Sequence, residues 1–301
     1  MTGGAVPRRL VAGIDAGGTT FKLAVAEPGG PPLGLSRVPT TTPDETIAAA
    51  ADALRALSRD AGGEIVRLGI ASFGPVDVDP ASPRYGAILR TPKPGWTGTP
   101  LLGRLRDALG VPGDLDTDVN GALEAEALWG AARGVARAAY VTVGTGIGVG
   151  VVADGAFAGH PFHPELGHVR VARHEGDREY PGACPFHGDC LEGLAAAPAL
   201  VARYGPLEAL GPDHPAWAVA GHYLGQLCVV LSLGFRAERV VLGGGVMGAP
   251  SLLGRVRDAY AGLMNGYLDD AAPDALIVPA GLGGEAGVRG GLAVAQRRLS
   301  T

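Results

Sequence analysis

Short apolar runs that end in glycine recur along this chain, and they set its rhythm. Leu10–Ile14 is the first, followed by the turn Gly17-Gly18-Thr19-Thr20 and a second run, Phe21–Ala26, a pattern that predicts two strands joined by a tight hairpin. Thr42, Pro43 and Glu45 supply a capping hydroxyl, a proline for the first helical position and a carboxylate three residues beyond the cap, so a helix is predicted from Pro43 to about Ser58. Ile65–Ala71 reads as a strand closed by Ser72-Phe73-Gly74-Pro75, and Leu101–Leu109 as a helix. Between them, Pro80 to Pro100 is dense in proline and turn formers and reads as a long ordered loop of the kind that often carries function. Ala139–Val143, the turn Gly144-Thr145-Gly146-Ile147-Gly148 and Val149–Ala153 then repeat the strand, glycine turn, strand arrangement. Two such halves would set two glycine turns on opposite walls of one cleft, which suits a ligand with several phosphates. The remainder predicts a polar His- and Cys-containing segment over His160–Cys190, helices from Leu191 onward, a strand at Arg239–Leu242 running into Gly243-Gly244-Gly245, and a last helix from about Glu285 to Arg298. His214–Phe235 carries no charge, yet His222, Tyr223, Gln226, Ser232 and three glycines make it a buried helix rather than a membrane span.

Composition narrows the classes. Glycine and proline number 50 and 24 in 301 residues, but a hydrophobic share of 47% with only 18% charged excludes a disordered chain. The length exceeds what one core usually supports, so the expected fold is α/β with two lobes about a cleft. Net charge is −5, and neither the arginines nor the two lysines, Lys22 and Lys93, form a basic run, which argues against nucleic acid or an anionic membrane as partner. Met1 to Arg9 is short and rich in Gly and Pro, unlike a signal peptide, so a cytoplasmic protein is expected. In a reducing compartment, Cys184 and Cys190 are metal candidates and Cys228, inside the apolar helix, a core residue.

Three constellations carry chemistry. Asp15-Ala16-Gly17-Gly18-Thr19-Thr20 sets a carboxylate at a strand end beside a turn whose amides can approach an anion. Neither glycine turn has the spacing of a Gly-x-x-x-x-Gly-Lys phosphate loop, and the second lacks the helix that a dinucleotide fingerprint requires. Asp116-Thr117-Asp118-Val119-Asn120 lies between a predicted strand and an Ala- and Leu-rich helix from Gly121; it either caps that helix or offers a carboxylate as general base. Cys184-x2-His187-x2-Cys190 can converge on a tetrahedral zinc, with His168 as the candidate fourth ligand and His160, His163 and His174 competing on sequence alone; a closed set of that kind is structural.

With these residues assembled, the chain resembles bacterial fructokinases of the ROK family (repressors, open reading frames and kinases), within the sugar kinase and actin-like ATPase superfamily of ribonuclease H-like lobes. The resemblance spans about Ala12 to Leu292 through Asp15–Thr20, Ser72–Asp77, Thr91–Trp96, Thr117–Asn120, Gly144–Gly148, His163–His168, Cys184–Cys190 with Glu192, and Leu242–Met247. It implies phosphorylation of D-fructose by ATP with Mg²⁺, Asp118 as catalytic base, and sugar contacts from Gly74, Thr117, Glu165, His168 and Glu192. Phosphates would lie on Gly17, Gly18, Thr19, Thr20, Gly144, Thr145 and Gly146, with Asp15 near magnesium, and adenosine by Pro198, Gly243, Gly244 and Gly245. It implies structural Zn²⁺ on His168, Cys184, His187 and Cys190, and a homodimer. It also implies a first lobe of residues 1–114 with a helix at about 285–301, and a second of 115–284 bearing the zinc-binding loop 163–192.

Two positions depart from many relatives. Thr117 replaces an asparagine, which looks like the fructokinase branch, and Thr20 replaces a lysine, for which Lys22 on the same strand face is a substitute. Glucose, mannose and N-acetyl amino-sugar kinases are the alternatives of the same class. The family's sugar-binding repressors differ in class; they carry a reading head, for which the ten or so residues before Leu10 leave no room, and a non-catalytic relative would lack Asp118. Asp116 lies outside the matched motif, so its replacement is expected to be mild.

Overall fold

A computed structural model describes residues 7–268, 271–297 and 299. Two compact units emerge, one of residues 1–128, 159–163 and 284–301, the other of 129–158 and 164–283. Each is built on a five-stranded sheet of the same design.

In the first unit, β1 (Arg8–Ala16), β2 (Thr20–Ala26) and β3 (Pro32–Pro39) form an antiparallel meander, after which β4 (Gly63–Ser72) and β5 (Gly113–Thr117) add in parallel on the other side of β1. β1 and β4 are buried on both faces for most of their length, as expected for strands covered by helices, and so read as continuous apolar runs. The predicted capping site works: Thr42 Oγ1 accepts from the Glu45 amide at 3.3 Å, while Thr41 Oγ1 donates to Glu45 Oε2 at 2.8 Å, and α1 runs Pro43–Asp60. α2 is Leu101–Leu109, as predicted.

α3 starts at Asp118, not at Gly121, and extends to Trp129; the acidic motif therefore straddles the junction of β5 and α3 and does not form a linker between them. Because β5 pairs with β4, residues 115–128 pack with the first unit, whereas the sequence expectation draws the boundary after residue 114. The C-terminal helix, Ala286–Gln296, also belongs to this unit. Gly69 faces Gly291 and Ala295, and Gly13 faces Leu292, at separations that no side chain could share. Arg298, where this helix was expected to end, lies outside the described residues.

In the second unit, β6 (Arg137–Val143), β7 (Ile147–Ala153) and β8 (Ala156–Phe157) make the meander, and β9 (Arg239–Gly243) and β10 (Ile277–Pro279) add in parallel beside β6. The repeat expected from the two glycine turns is thus a repeat of topology. α4 (Leu191–Ala195), α5 (Ala197–Tyr204), α6 (Pro215–Phe235), α7 (Leu252–Met264) and α8 (Pro273–Leu276) complete the unit. Among the described residues, α6 is the one helix long and apolar enough to cross a membrane. Trp217, Tyr223, Leu224, Leu227 and Leu231 on it are nonetheless part of the unit's core. Cys228, fully buried there, has its thiol pushed up to about 12 by desolvation, as befits an inert core cysteine.

Candidate functional site

The first glycine turn joins β1 to β2. Gly17 N donates to Thr20 O at 3.2 Å, and Thr40, just past β3, donates from N to Thr19 O (2.9 Å) and from Oγ1 to Gly17 O (2.8 Å), so the turn is braced from a third strand. Gly18 and Thr19 are exposed at its tip. Asp15 ends β1 with its side chain mostly buried, and Lys22, its partner across the hairpin, places Nζ 3.1 Å from Asp15 Oδ2. Gly287, at the start of the C-terminal helix, lies against the same carboxylate, in space that any side chain there would occupy. Gly74 is exposed just beyond β4, at a cis peptide bond to Pro75.

The β5–α3 junction carries a second device. Thr117 Oγ1 accepts from Asn120 N at 3.1 Å and caps the helix, so Asp118 need not. Asp118 is half-buried, with Oδ1 accepting from Val119 N at 2.9 Å. Behind it Asp116 is buried: Oδ1 accepts from Thr117 N and Asn120 Nδ2, both at 2.8 Å, and Oδ2 lies 2.7 Å from Arg297 Nη2. Arg297 also donates from Nε to Glu124 Oε2 at 2.8 Å. Burial pushes the Glu124 carboxyl up, and Arg297 opposes that shift. Burial likewise works against the charge on Arg297, but Asp116 and Glu124 outweigh it and raise its pKa. Sequence reasoning set Asp116 aside and did not find Arg297 or Glu124. Nothing local marks a contact between residues 116 and 297.

In the second unit, the turn between β6 and β7 is closed by Gly144 N donating to Gly146 O at 2.9 Å. Gly144 O accepts from Ala197 N at 2.8 Å, which brings the start of α5, with the exposed Pro198, to the turn, while Thr145 is exposed at its tip. Glu192 on α4 reaches the same turn, its Oε2 accepting from Ile147 N at 3.0 Å and filling the space a side chain at Gly146 would need. Gly243 ends β9 and Gly244 follows at φ +91°, a conformation glycine alone adopts readily, folded against the backbone of Val143; Gly245 opens the short helical turn that follows. Strand end and turn are thereby brought side by side.

His168 closes a short helical turn, Leu166–His168, whose first contact is His168 N donating to the exposed Glu165 at its carbonyl, 3.0 Å. The Cys184–Cys190 loop is a small hairpin, Cys184 and Gly188 exchanging backbone bonds at 3.1 and 2.9 Å, and it hands Cys190 directly to α4. His168, Cys184, His187 and Cys190 bring their ligand atoms within 4.8 Å of one another. Cys184 Sγ stands 3.7 Å from His168 Nδ1 and 3.6 Å from His187 Nδ1, and Cys190 Sγ 3.5 Å from His168 Nδ1. A zinc ion with thiolates at ~2.3 Å and imidazoles at ~2.0–2.1 Å, arranged tetrahedrally, sets sulfur and nitrogen about 3.6 Å apart, so the four residues fit that ion in chemistry and spacing.

Of the competing histidines, His160 and His163 are not in the cluster, and His174 accepts from Gly176 N and stacks edge-on with His222. Glu192 Oε1 lies 4.0 Å from His168 Nδ1, so one carboxylate holds the glycine turn and adjoins the Cys2His2 group.

Comparison with known proteins accounts for this assembly. The model of the ROK family matches residues 11–298. The fructokinase of Zymomonas mobilis is 40% identical over 293 residues, covering 96% of this chain and 97% of its own. The crystal structure of a ROK hexokinase from Thermus thermophilus superposes with a TM-score of 0.79 at 31% identity, over 97% of this chain and 99% of that one. A ROK family glucokinase from Streptomyces griseus, solved with glucose and AMPPNP, superposes with a TM-score of 0.76 at 25% identity, over 96% and 99%. The family model and these relatives each span nearly the whole chain, and the chain belongs to the ROK family.

Proposed function

We propose that this protein is an ATP-dependent hexose kinase that transfers the γ-phosphoryl group of Mg·ATP to O6 of D-fructose, with mannose and glucose slower. The observation that carries the choice of sugar is the 40% identity to a fructokinase across nearly the whole chain, set against 25% to a glucokinase of equal coverage. The Thr117-Asp118-Val119-Asn120 junction supports the choice of chemistry.

Phosphoryl transfer asks a protein mainly for alignment and for charge placed where the transition state needs it. Asp118 takes the proton of the attacking sugar hydroxyl, a contribution usually worth ~10²–10⁴-fold. Its carboxylate sits on a helix start that Thr117 caps and Asp116 braces, so the base is held rather than searching. Gly74, Thr117, Glu165, His168 and Glu192 bind the sugar; carboxylates accept from vicinal hydroxyls. Gly17, Gly18, Thr19 and Thr20, with Gly144, Thr145 and Gly146, bind the phosphates through backbone amides and hydroxyls, and Pro198 with Gly243, Gly244 and Gly245 receives adenosine. Asp15 would lie beside magnesium, which supplies charge neutralisation to the phosphates when Mg·ATP is bound. His168, Cys184, His187 and Cys190 would hold a structural zinc, which would fix the His168 ring and the start of α4. The protein is cytoplasmic and a homodimer in this reading.

The test is a panel of hexoses with ATP, read by ADP release, with the phosphorylated carbon located by NMR. Fructose should give the highest kcat/KM; preference for glucose would move the enzyme to the glucokinase branch.

A further inference from the structure

Arginine outnumbers lysine 23 to 2 in this chain, and both lysines stand at the first glycine turn. Lys22 reaches it from β2. Lys93 reaches it from the long loop between β4 and α2, donating from Nζ to Gly18 O at 2.5 Å across 75 residues of sequence. This loop is anchored close by: Trp96 is fully buried, its ring packs on Phe21 and Phe73 with centroids at 5.7 and 5.6 Å, and its Nε1 donates to Thr41 O at 2.9 Å. Lys93 itself is tied to that anchor, since Trp96 N donates to Lys93 O at 3.3 Å.

The two ammonium groups are not equivalent. Lys22 faces Asp15, and the pair cancels in charge. Lys93 faces a neutral carbonyl, so its charge is uncompensated by that contact, at a turn tip where Gly18 and Thr19 are exposed. An ammonium carries three N–H donors and Gly18 takes one. A compact point charge on a flexible stem suits a terminal phosphate, where the planar guanidinium of the far commoner arginine imposes a fork.

We propose that Lys93 is a phosphate-binding residue: its ammonium holds the terminal phosphates of the nucleoside triphosphate at the Gly17–Thr20 turn, while Lys22 serves as the counter-ion of Asp15. The inference rests on the reading of this turn as a nucleotide phosphate site. It also makes the 80–100 loop part of the nucleotide site, and it places the cation absent at Thr20 on a different segment of chain.

The contribution of a phosphate-bound cation grows with the number of phosphates, whereas a merely structural lysine would affect all ligands alike. Titration calorimetry of the full chain and of Lys93→Met with Mg·AMPPNP, Mg·ADP, adenosine and fructose separates the two. Expected for Lys93→Met is about a ten-fold or greater loss of AMPPNP affinity, corresponding to ~1.4 kcal/mol. The loss should be smaller for ADP, with adenosine and fructose within about two-fold, and Lys93→Arg should recover part of it. AMPPNP binding equal to wild type, equal weakening of AMPPNP and adenosine, or a loss confined to fructose would each overturn the assignment. Wild-type protein that binds no AMPPNP would instead overturn the functional reading beneath it.

Discussion

The two sheets share one strand order, an antiparallel meander with two parallel strands added beside its first strand, yet they spend their glycine turns differently. In the first, the turn is flanked by charge: Asp15, Lys22 and Lys93 gather there, and the fifth strand runs straight into the helix that bears Asp118. In the second, the turn is held by Glu192, and the fifth strand is a three-residue edge ending in Pro279. There the Cys2His2 cluster adjoins Glu192 through His168. Topology decides where a turn sits; the chemistry is set by what the next segment of chain delivers to it.

The largest expected effect breaks the comparison on the side of the first unit. Asp118→Asn should lower kcat by roughly 10²–10⁴-fold while calorimetry finds fructose and nucleotide binding near wild type, because only the transition state loses its base. Near-normal kcat in this variant would remove Asp118 from the catalytic role.

Next is the brace behind it. Arg297→Met leaves Asp116 and Glu124 with like charge in partly buried surroundings, so urea unfolding should report a loss of about 2–4 kcal/mol. Asp116→Asn should cost less, since an amide can still accept from Thr117 N. A change within ~0.5 kcal/mol for Arg297→Met would show that its ion pairs with Asp116 and Glu124 contribute nothing to stability.

The smallest effect sharpens the contrast on the side of the second unit. Chelation should raise the fructose KM several-fold and leave nucleotide affinity less changed, because the cluster includes His168 and adjoins Glu192, the residues proposed to contact the sugar. Alkylation followed by mass spectrometry should then label Cys184 and Cys190 but not Cys228, whose buried thiol, at about 12, offers almost no thiolate at neutral pH. Carefully prepared protein that contains no zinc and binds fructose normally would refute the metal assignment.

Much of this was legible in sequence wherever the deciding contacts are local. The capping site at Thr42, the strands that end in glycine and the Cys-x2-His-x2-Cys loop each declare themselves within a few residues. β3 did not, since Pro32, Gly34 and Pro39 suggest a turn, and its alternation exposes Leu33 and Leu35 as an edge strand would. β10 is too short for any period to show. The start of α3 was placed three residues late because Asp118-Val119-Asn120 resembles a cap more than a first helical turn, and the capping oxygen proved to be that of Thr117. The choice of His168 among four histidines, and the meeting of Asp116 with Arg297 or Lys93 with Gly18, depend on tertiary packing that spacing does not encode.

The C-terminal helix carries one more consequence, for the order in which the molecule can be completed. It lies on β1 and β4, with backbone against backbone at Gly13, Gly69 and Gly291, so these two strands are covered by a helix synthesised only after the whole of the second unit. At a translation rate of roughly 5–20 residues per second, β1 and β4 wait on the order of ten seconds or more for that cover. The second unit, residues 129–158 and 164–283, has its whole core at hand before then. In the nascent chain, the later half is therefore the earlier one to close, and the apolar face of the first sheet is the surface that a ribosome-associated chaperone would meet.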